Sequence, residues 1–140
     1  MPSVMRRMLL SIGACLLLMG DGHAHKVEVF LTHRMPVNTL GFVGDHVSLH
    51  YVDQAELLNQ SLTQYMAISG TKERAMNMAK TFIQKHQSAY QQAAITLDLT
   101  EQYGITRIPT VVIDRCAQFV GTTNIDTSLN MFMAKGGCHA

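Results

Sequence analysis

The feature that most constrains this chain is a proline inside a strand-like segment. Residues 105–114, ITRIPTVVID, are rich in β-branched side chains and follow Gly104, a glycine of the kind that ends helices. Proline cannot donate to a sheet ladder, so we predict a strand over 105–114 that is entered through Pro109. A cis Ile108–Pro109 bond would turn the chain sharply into this strand. Only about 5–6% of X-Pro bonds are cis, so the position of the proline alone does not show that this bond is cis.

The first residues have the pattern of a secretory signal peptide. Two arginines precede an apolar run over 8–19, which is shorter than the roughly 20 residues of a membrane-spanning helix. Gly22 and Ala24 supply small residues at positions −3 and −1 of a cleavage site before His25. We therefore predict a signal peptide over 1–24 and one domain over 25–140. The alternatives are an uncleaved N-terminal anchor and lipoprotein processing at Cys15.

The composition of the predicted mature domain excludes some function classes. The whole chain has 11 Lys and Arg against 10 Asp and Glu, and two of those basic residues and one acidic residue lie in the leader. This even balance does not indicate nucleic-acid binding or binding to acidic surfaces. No second long apolar segment follows. We predict a periplasmic protein without stable membrane insertion once the signal is cleaved.

The pattern of apolar and polar residues after the leader predicts an α/β fold with a central mixed sheet of about four strands flanked by helices. Asp53 is the predicted N-cap of the first clear helix, and Met133 lies on the predicted core face of the last one. Residues 38–44 are left open between a loop and a short helical turn. Strands are predicted at 26–31, 47–52, 105–114 and 118–120, and helices at 53–65, at 71–103 with a break near 86–88, and at 124–135.

The passage from Tyr103 to Val112 resembles the helix, glycine, cis-proline and strand of the thioredoxin superfamily. Further segments match a narrower group within that superfamily: Val27-Glu28-Val29-Phe30, Pro36-Val37, Tyr51-Val52-Asp53, 103–114 and Val120-Gly121-Thr122. On these segments the chain resembles secreted thioredoxin-like proteins that are encoded in the transfer regions of integrating conjugative elements. That resemblance implies a thioredoxin-like fold, a cis bond before Pro109, and a role in conjugative DNA transfer through the type IV secretion apparatus. It implies no defined reaction.

The chain lacks the chemistry of the redox-active members. In those proteins the first strand leads into Cys-x-x-Cys at a helix N-terminus, where a thiolate can form and attack. Here the corresponding residues are Thr32-His33-Arg34-Met35, with no thiol. No carboxylate pair, Ser/His/Asp order or phosphate-binding glycine loop stands out either. We predict a non-catalytic protein with no cofactor.

Cys116 and Cys138 are the two cysteines outside the leader. An even number in an oxidising compartment predicts one disulfide, and two separate thiols are the alternative. As a structural staple it would close a loop of about two dozen residues and contribute roughly 3 kcal/mol in the chain-entropy model. The competing hypothesis is a periplasmic thiol–disulfide oxidoreductase or isomerase-like protein that uses this pair.

The predicted binding surface is a groove at the proline loop. In this fold the cis-proline loop can pair with an extended peptide by strand addition. The partners would be proteins of the conjugative transfer apparatus, with no direct contact to nucleic acid. The alternative is that Pro109 serves folding geometry alone. The groove residues are His33, Arg34, Met35, Pro36, Ile108, Pro109 and Thr110.

Copper binding is a third hypothesis, because cleavage would leave His25 at the new N-terminus. His33 is roughly 25 Å away along an extended strand, and His46 and His50 are about 13 Å apart, too far to chelate one ion. We therefore interpret His46 and His50 as ordinary polar surface residues, and predict no metal site.

Overall fold

The computed structural model describes residues 24–37 and 46–138. Apart from Ala24, the predicted signal peptide lies outside the described residues, as does the segment over 38–44 that was left open. The described residues form four strands and four helices, in the order β1 (Lys26–Leu31), β2 (His46–Tyr51), α1 (Gln54–Ala67), α2 (Lys72–Lys85), α3 (Gln87–Gln102), β3 (Thr110–Ile113), β4 (Ala117–Val120) and α4 (Ile125–Ala134).

The strands form one mixed sheet in the order β2-β1-β3-β4. Strand β1 runs parallel to β2 and antiparallel to β3, and β3 is antiparallel to β4. A turn through Asp114 and Arg115, both at positive φ, joins β3 to β4, as in type I′ hairpins. This arrangement confirms the predicted thioredoxin-like α/β fold.

Strand β1 is buried on both faces of the sheet. Its alternate residues Val27, Val29 and Leu31 pack in one core cluster with residues of β3 and α4. Glu28 and Phe30 point to the other face, where both contact Tyr103 just after α3. The central strand thus places a charged residue inside the protein.

The three helices between β2 and β3 cover the sheet unevenly. Helix α1 buries Leu58, and α3 buries Ala93 and Thr96, but α2 buries no residue. Thr71 caps α2 by accepting a hydrogen bond from the N–H of Arg74. Helix α2 ends at Lys85 and α3 begins at Gln87, within the window where the sequence predicted a break.

Three details differ from the sequence prediction. The strand predicted over 105–114 is limited to Thr110–Ile113, because residues 107–110 form a tight turn in which the Thr110 hydroxyl donates to the Arg107 carbonyl at 2.7 Å. Met133 is 63% exposed, because it lies one step around α4 from the buried Phe132. Asp53 is the N-cap of α1, but its side chain makes no capping hydrogen bond.

Substitution at neighbouring positions of α4 tests where the core lies. Phe132→Ala removes a buried ring from the main cluster and should lower the free energy of unfolding by about 3–5 kcal/mol. Met133→Ala should change it by less than about 0.5 kcal/mol, because that side chain is exposed. Urea titration followed by circular dichroism measures both. Equal losses in the two variants would contradict this assignment of the core.

Candidate functional site

The predicted groove residues meet at one end of the sheet. Phe30 near the end of β1 pairs with Thr110 at the start of β3, so the turn after β1 lies beside the Ile108–Pro109 segment. The Ile108–Pro109 peptide bond is cis. We call this region the proline mouth: the turn over 33–36 together with residues 108–110.

The connection between β4 and α4 ties the two sides of the proline mouth together. The hydroxyl of Thr123 donates to the carbonyl of Pro36 at 2.9 Å. The N–H of Gly121 donates to the carbonyl of Pro109 at 2.7 Å. Both segments of the mouth are therefore fixed to one neighbouring loop.

The backbone of Ile108 is the part of the mouth that can accept a peptide. Among the described residues, none accepts from its N–H or donates to its carbonyl, and its side chain is half-buried. At Thr110 the side chain is buried and the backbone is paired in the sheet. The other predicted residues divide into exposed His33, Arg34 and Pro36, and half-buried Met35 and Pro109.

An aspartate–histidine pair lies at the end of the sheet where β1 and β2 both end. The Nδ1 atom of His33 is 2.8 Å from Oδ1 of Asp53, and the backbone N–H of His33 also donates to this carboxylate. The imidazole stacks on Tyr51 with ring centroids 4.1 Å apart. Partial burial raises the pKa of Asp53, but the hydrogen bonds from His33 outweigh it and hold the pKa below its ordinary value.

This pair was not predicted from the sequence, because the strand register that joins its members is seen only in the structure. The parallel register sets Leu31 opposite Tyr51, so residues two positions further along each strand, His33 and Asp53, meet at the same edge. Beside the pair lies a cavity of about 320 Å³. Its lining residues are Thr32, Arg34, Asp53, Glu56, Leu57 and Gln60.

The disulfide lies at the other end of the sheet. Cys116 and Cys138 are bonded, with Cα atoms 5.7 Å apart, and both residues are exposed. Cys116 follows Ile113, which pairs with Val27 near the start of β1. The length of β3 alone therefore separates this bond from the proline mouth by about 10 Å.

A buried polar network lies inside the sheet. Glu28 is 2% exposed, and its carboxylate accepts a hydrogen bond of 2.7 Å from the hydroxyl of Tyr103. The Lys26 ammonium and the Nε2 atom of His50 each lie 3.4 Å from the other carboxylate oxygen. His50 stacks on Phe30 and is buried, so its interpretation as a surface residue was wrong: a neighbouring helix covers that face of β2.

The network shifts the pKa of each of its buried members. Burial raises the pKa of Glu28, but the Tyr103 hydrogen bond and the charge of Lys26 outweigh it and lower the pKa. Burial lowers the pKa of His50, and nearby Glu28 compensates only in part. Burial, together with the Glu28 hydrogen bond and charge, raises the pKa of Tyr103 to about 12. The folded state therefore favours the ionised form of Glu28 and the neutral form of His50 more than the unfolded chain does.

The remaining candidate residues do not form a metal centre in the part of the chain that the structure describes. Over 24–37 and 46–138, no three His, Cys, Asp or Glu side chains come close enough to hold an ion. The Nδ1 atom of His25 is instead 2.7 Å from a carboxylate oxygen of Asp114. Within the same ranges, no helix combines the length and the hydropathy that crossing a membrane requires.

Comparison with known proteins identifies the family. The family model described as "Protein of unknown function (DUF1525)" matches residues 24–134, most of the chain. The chain belongs to the DUF1525 family. No curated protein and no solved structure matches it. The fold and the proline mouth described above are therefore those of a DUF1525 family member.

Acid should destabilise this DUF1525 chain partly through His50. Because the pKa of His50 is below its ordinary 6.5 in the folded state, its contribution is complete above that pH and is lost as the pH falls below it. From about pH 7 to about pH 5 the free energy of unfolding should fall less in His50→Phe than in the unsubstituted chain. Urea titrations across this range measure the difference.

The matched control is His46→Gln on the same strand, since His46 is exposed. Its pH dependence should equal that of the unsubstituted chain. If His50→Phe and the unsubstituted chain lose stability in parallel, His50 is not held neutral in the folded state.

Proposed function

We propose that this DUF1525 chain is a non-catalytic, periplasmic, thioredoxin-like binding or assembly protein of a conjugative DNA transfer system of the type IV secretion class. The observation that carries the proposal is the separation of the proline mouth from the disulfide, at opposite ends of the sheet. A thioredoxin-type exchange reaction needs a thiolate at the mouth, where a bound peptide lies. Here the residues of the mouth include no thiol.

Peptide binding at the mouth is supported by the state of its backbone. The N–H and carbonyl of Ile108 have no partner among the described residues, and an extended peptide can pair with both by strand addition. Arg34, exposed on the facing turn, adds a positive charge beside the cavity. The ligand we propose is an extended segment of a partner protein in the transfer apparatus.

The His33–Asp53 pair supports a role without catalysis, because His33 lies in the turn after β1, which contains no thiol. The pair anchors the turn after β1 to the start of α1 through three contacts with one carboxylate. It thereby holds one wall of the mouth in place, which lowers the entropy cost of binding a peptide there. Its role in the proposal is to position the mouth.

One observation favours a second candidate function, thiol–disulfide exchange at Cys116 and Cys138. Both cysteines are exposed, whereas a purely structural disulfide gains nothing from contact with solvent. In this hypothesis the exposed pair, and not the mouth, would meet the substrate thiols. The two functions therefore predict different consequences of removing the cysteines and of altering the mouth.

Photo-cross-linking in cells that carry the transfer system tests the mouth. A photoreactive residue at Ile108 or Arg34 should give a discrete adduct with one partner protein, because both positions border the proposed peptide site. The matched control is Gln91, an exposed position on α3. Equal adducts from all three positions, or none from Ile108 and Arg34, would count against peptide binding there.

Transfer frequency separates the two functions. In cells lacking the native copy, the double variant Cys116→Ser/Cys138→Ser should restore transfer whenever it accumulates normally, although losing the cross-link costs roughly 3 kcal/mol of stability. Ile108→Asp should accumulate and fail to restore transfer, because the charge blocks the mouth. Immunoblots control for protein level. If Ile108→Asp restored transfer and the double cysteine variant did not, the result would support thiol–disulfide exchange at Cys116 and Cys138.

A further inference from the structure

The basic residues of this chain are concentrated on helix α2. Between Glu56 and Asp98 the sequence has four Lys or Arg and a single acidic residue, Glu73. All four basic residues lie within α2, Lys72–Lys85. The near-neutral total charge therefore conceals a strongly positive helix.

The same helix presents apolar side chains to solvent. Met76 is 54% exposed and Ile83 is 46% exposed, and Ile68, four residues before α2 begins, is 75% exposed. Phe82, a half-buried residue of α2, faces α1 with its ring 5.8 Å from that of Tyr65, whereas Met76 and Ile83 leave about half of their surface exposed. These side chains are left free for a partner.

Charge and apolar surface alternate along one stripe of α2. Lys72, Met76, Lys80 and Ile83 follow one another at spacings of four, four and three residues, which puts them on one side of a helix. Glu73 lies three residues before Met76, so it borders the same side of the helix, at nearly the same angle around the axis as Lys80. The stripe thus combines two ammonium groups with two apolar side chains, is bordered by one carboxylate and keeps a net positive charge.

We infer that this stripe of α2 binds the surface of an anionic phospholipid bilayer. Helices that lie at bilayer surfaces insert apolar side chains among the acyl chains while Lys and Arg pair with anionic headgroups, and lysine stems extend along the boundary. The alternation on α2 supplies both kinds of contact. The inference does not depend on the proposed function of the proline mouth.

The exposed aliphatic residues favour a bilayer over a nucleic acid. Single-stranded nucleic acids are bound by basic grooves with aromatic stacking platforms, and duplexes by basic residues that contact phosphates. Neither mode uses Met76 or Ile83. At an anionic bilayer the lysines are attracted to the charged headgroups. The apolar side chains Met76 and Ile83 are buried among the acyl chains, and both interactions strengthen binding.

Vesicle flotation tests the inference. The protein, as it accumulates in cells, is purified without detergent and mixed with vesicles of phosphatidylcholine alone or with about one-third phosphatidylglycerol. We expect binding to the anionic vesicles that weakens with added salt. Lys72→Gln/Lys80→Gln should lower the partition coefficient about tenfold or more, because each basic residue near an anionic surface adds to the attraction.

Two further variants complete the test. Met76→Ser/Ile83→Ser should also weaken binding to anionic vesicles, and its circular dichroism should be unchanged because both residues are exposed. The control Arg107→Gln/Lys135→Gln removes the same charge from exposed positions outside α2 and should bind as the unsubstituted chain does. Equal binding to neutral vesicles, or equal loss in the control, would overturn the inference. So would binding to a duplex oligonucleotide through Lys72 and Lys80 without binding to vesicles.

Discussion

The pairing of β1 on both of its edges is the constraint on which the rest of the structure depends. Because β2 runs parallel to β1, the residues that follow the two strands meet at one end of the sheet. Because β3 runs antiparallel, its first residues meet them there. These two pairings thus bring together the two segments of the proline mouth and set Asp53 beside them, and the β3–β4 turn with Cys116 lies at the opposite end.

The central position of β1 also explains the buried charge. A strand covered on both faces cannot send alternate residues to solvent, so Glu28 must find its partners inside the protein. Tyr103 donates to it, and Lys26 and His50 lie beside it. Since Tyr103 directly precedes Gly104, this network anchors the end of α3, from which the chain turns towards the cis bond and the proline mouth.

Local patterns in the sequence predict the elements well, because strands such as Lys26–Leu31 and breaks such as that at His86 follow from periodicity and capping. The buried network could not be predicted in this way. Lys26–Leu31 has the local pattern of a strand, and only its central place in a sheet whose two faces are covered puts Glu28 inside the protein. The His33–Asp53 pair was missed for a related reason, because 20 residues separate its members and the register alone unites them.

The proline mouth of this thioredoxin-like fold contains no thiol, so we expect no thiol–disulfide exchange there. The most direct measurement is turnover of a model disulfide substrate by the purified chain in glutathione buffer, beside the variant Cys116→Ser/Cys138→Ser. We predict that the two proteins give the same rate, equal to that of buffer alone, because no thiol lies at the proline mouth. Turnover above buffer by the unsubstituted chain, abolished in the variant, would contradict the account.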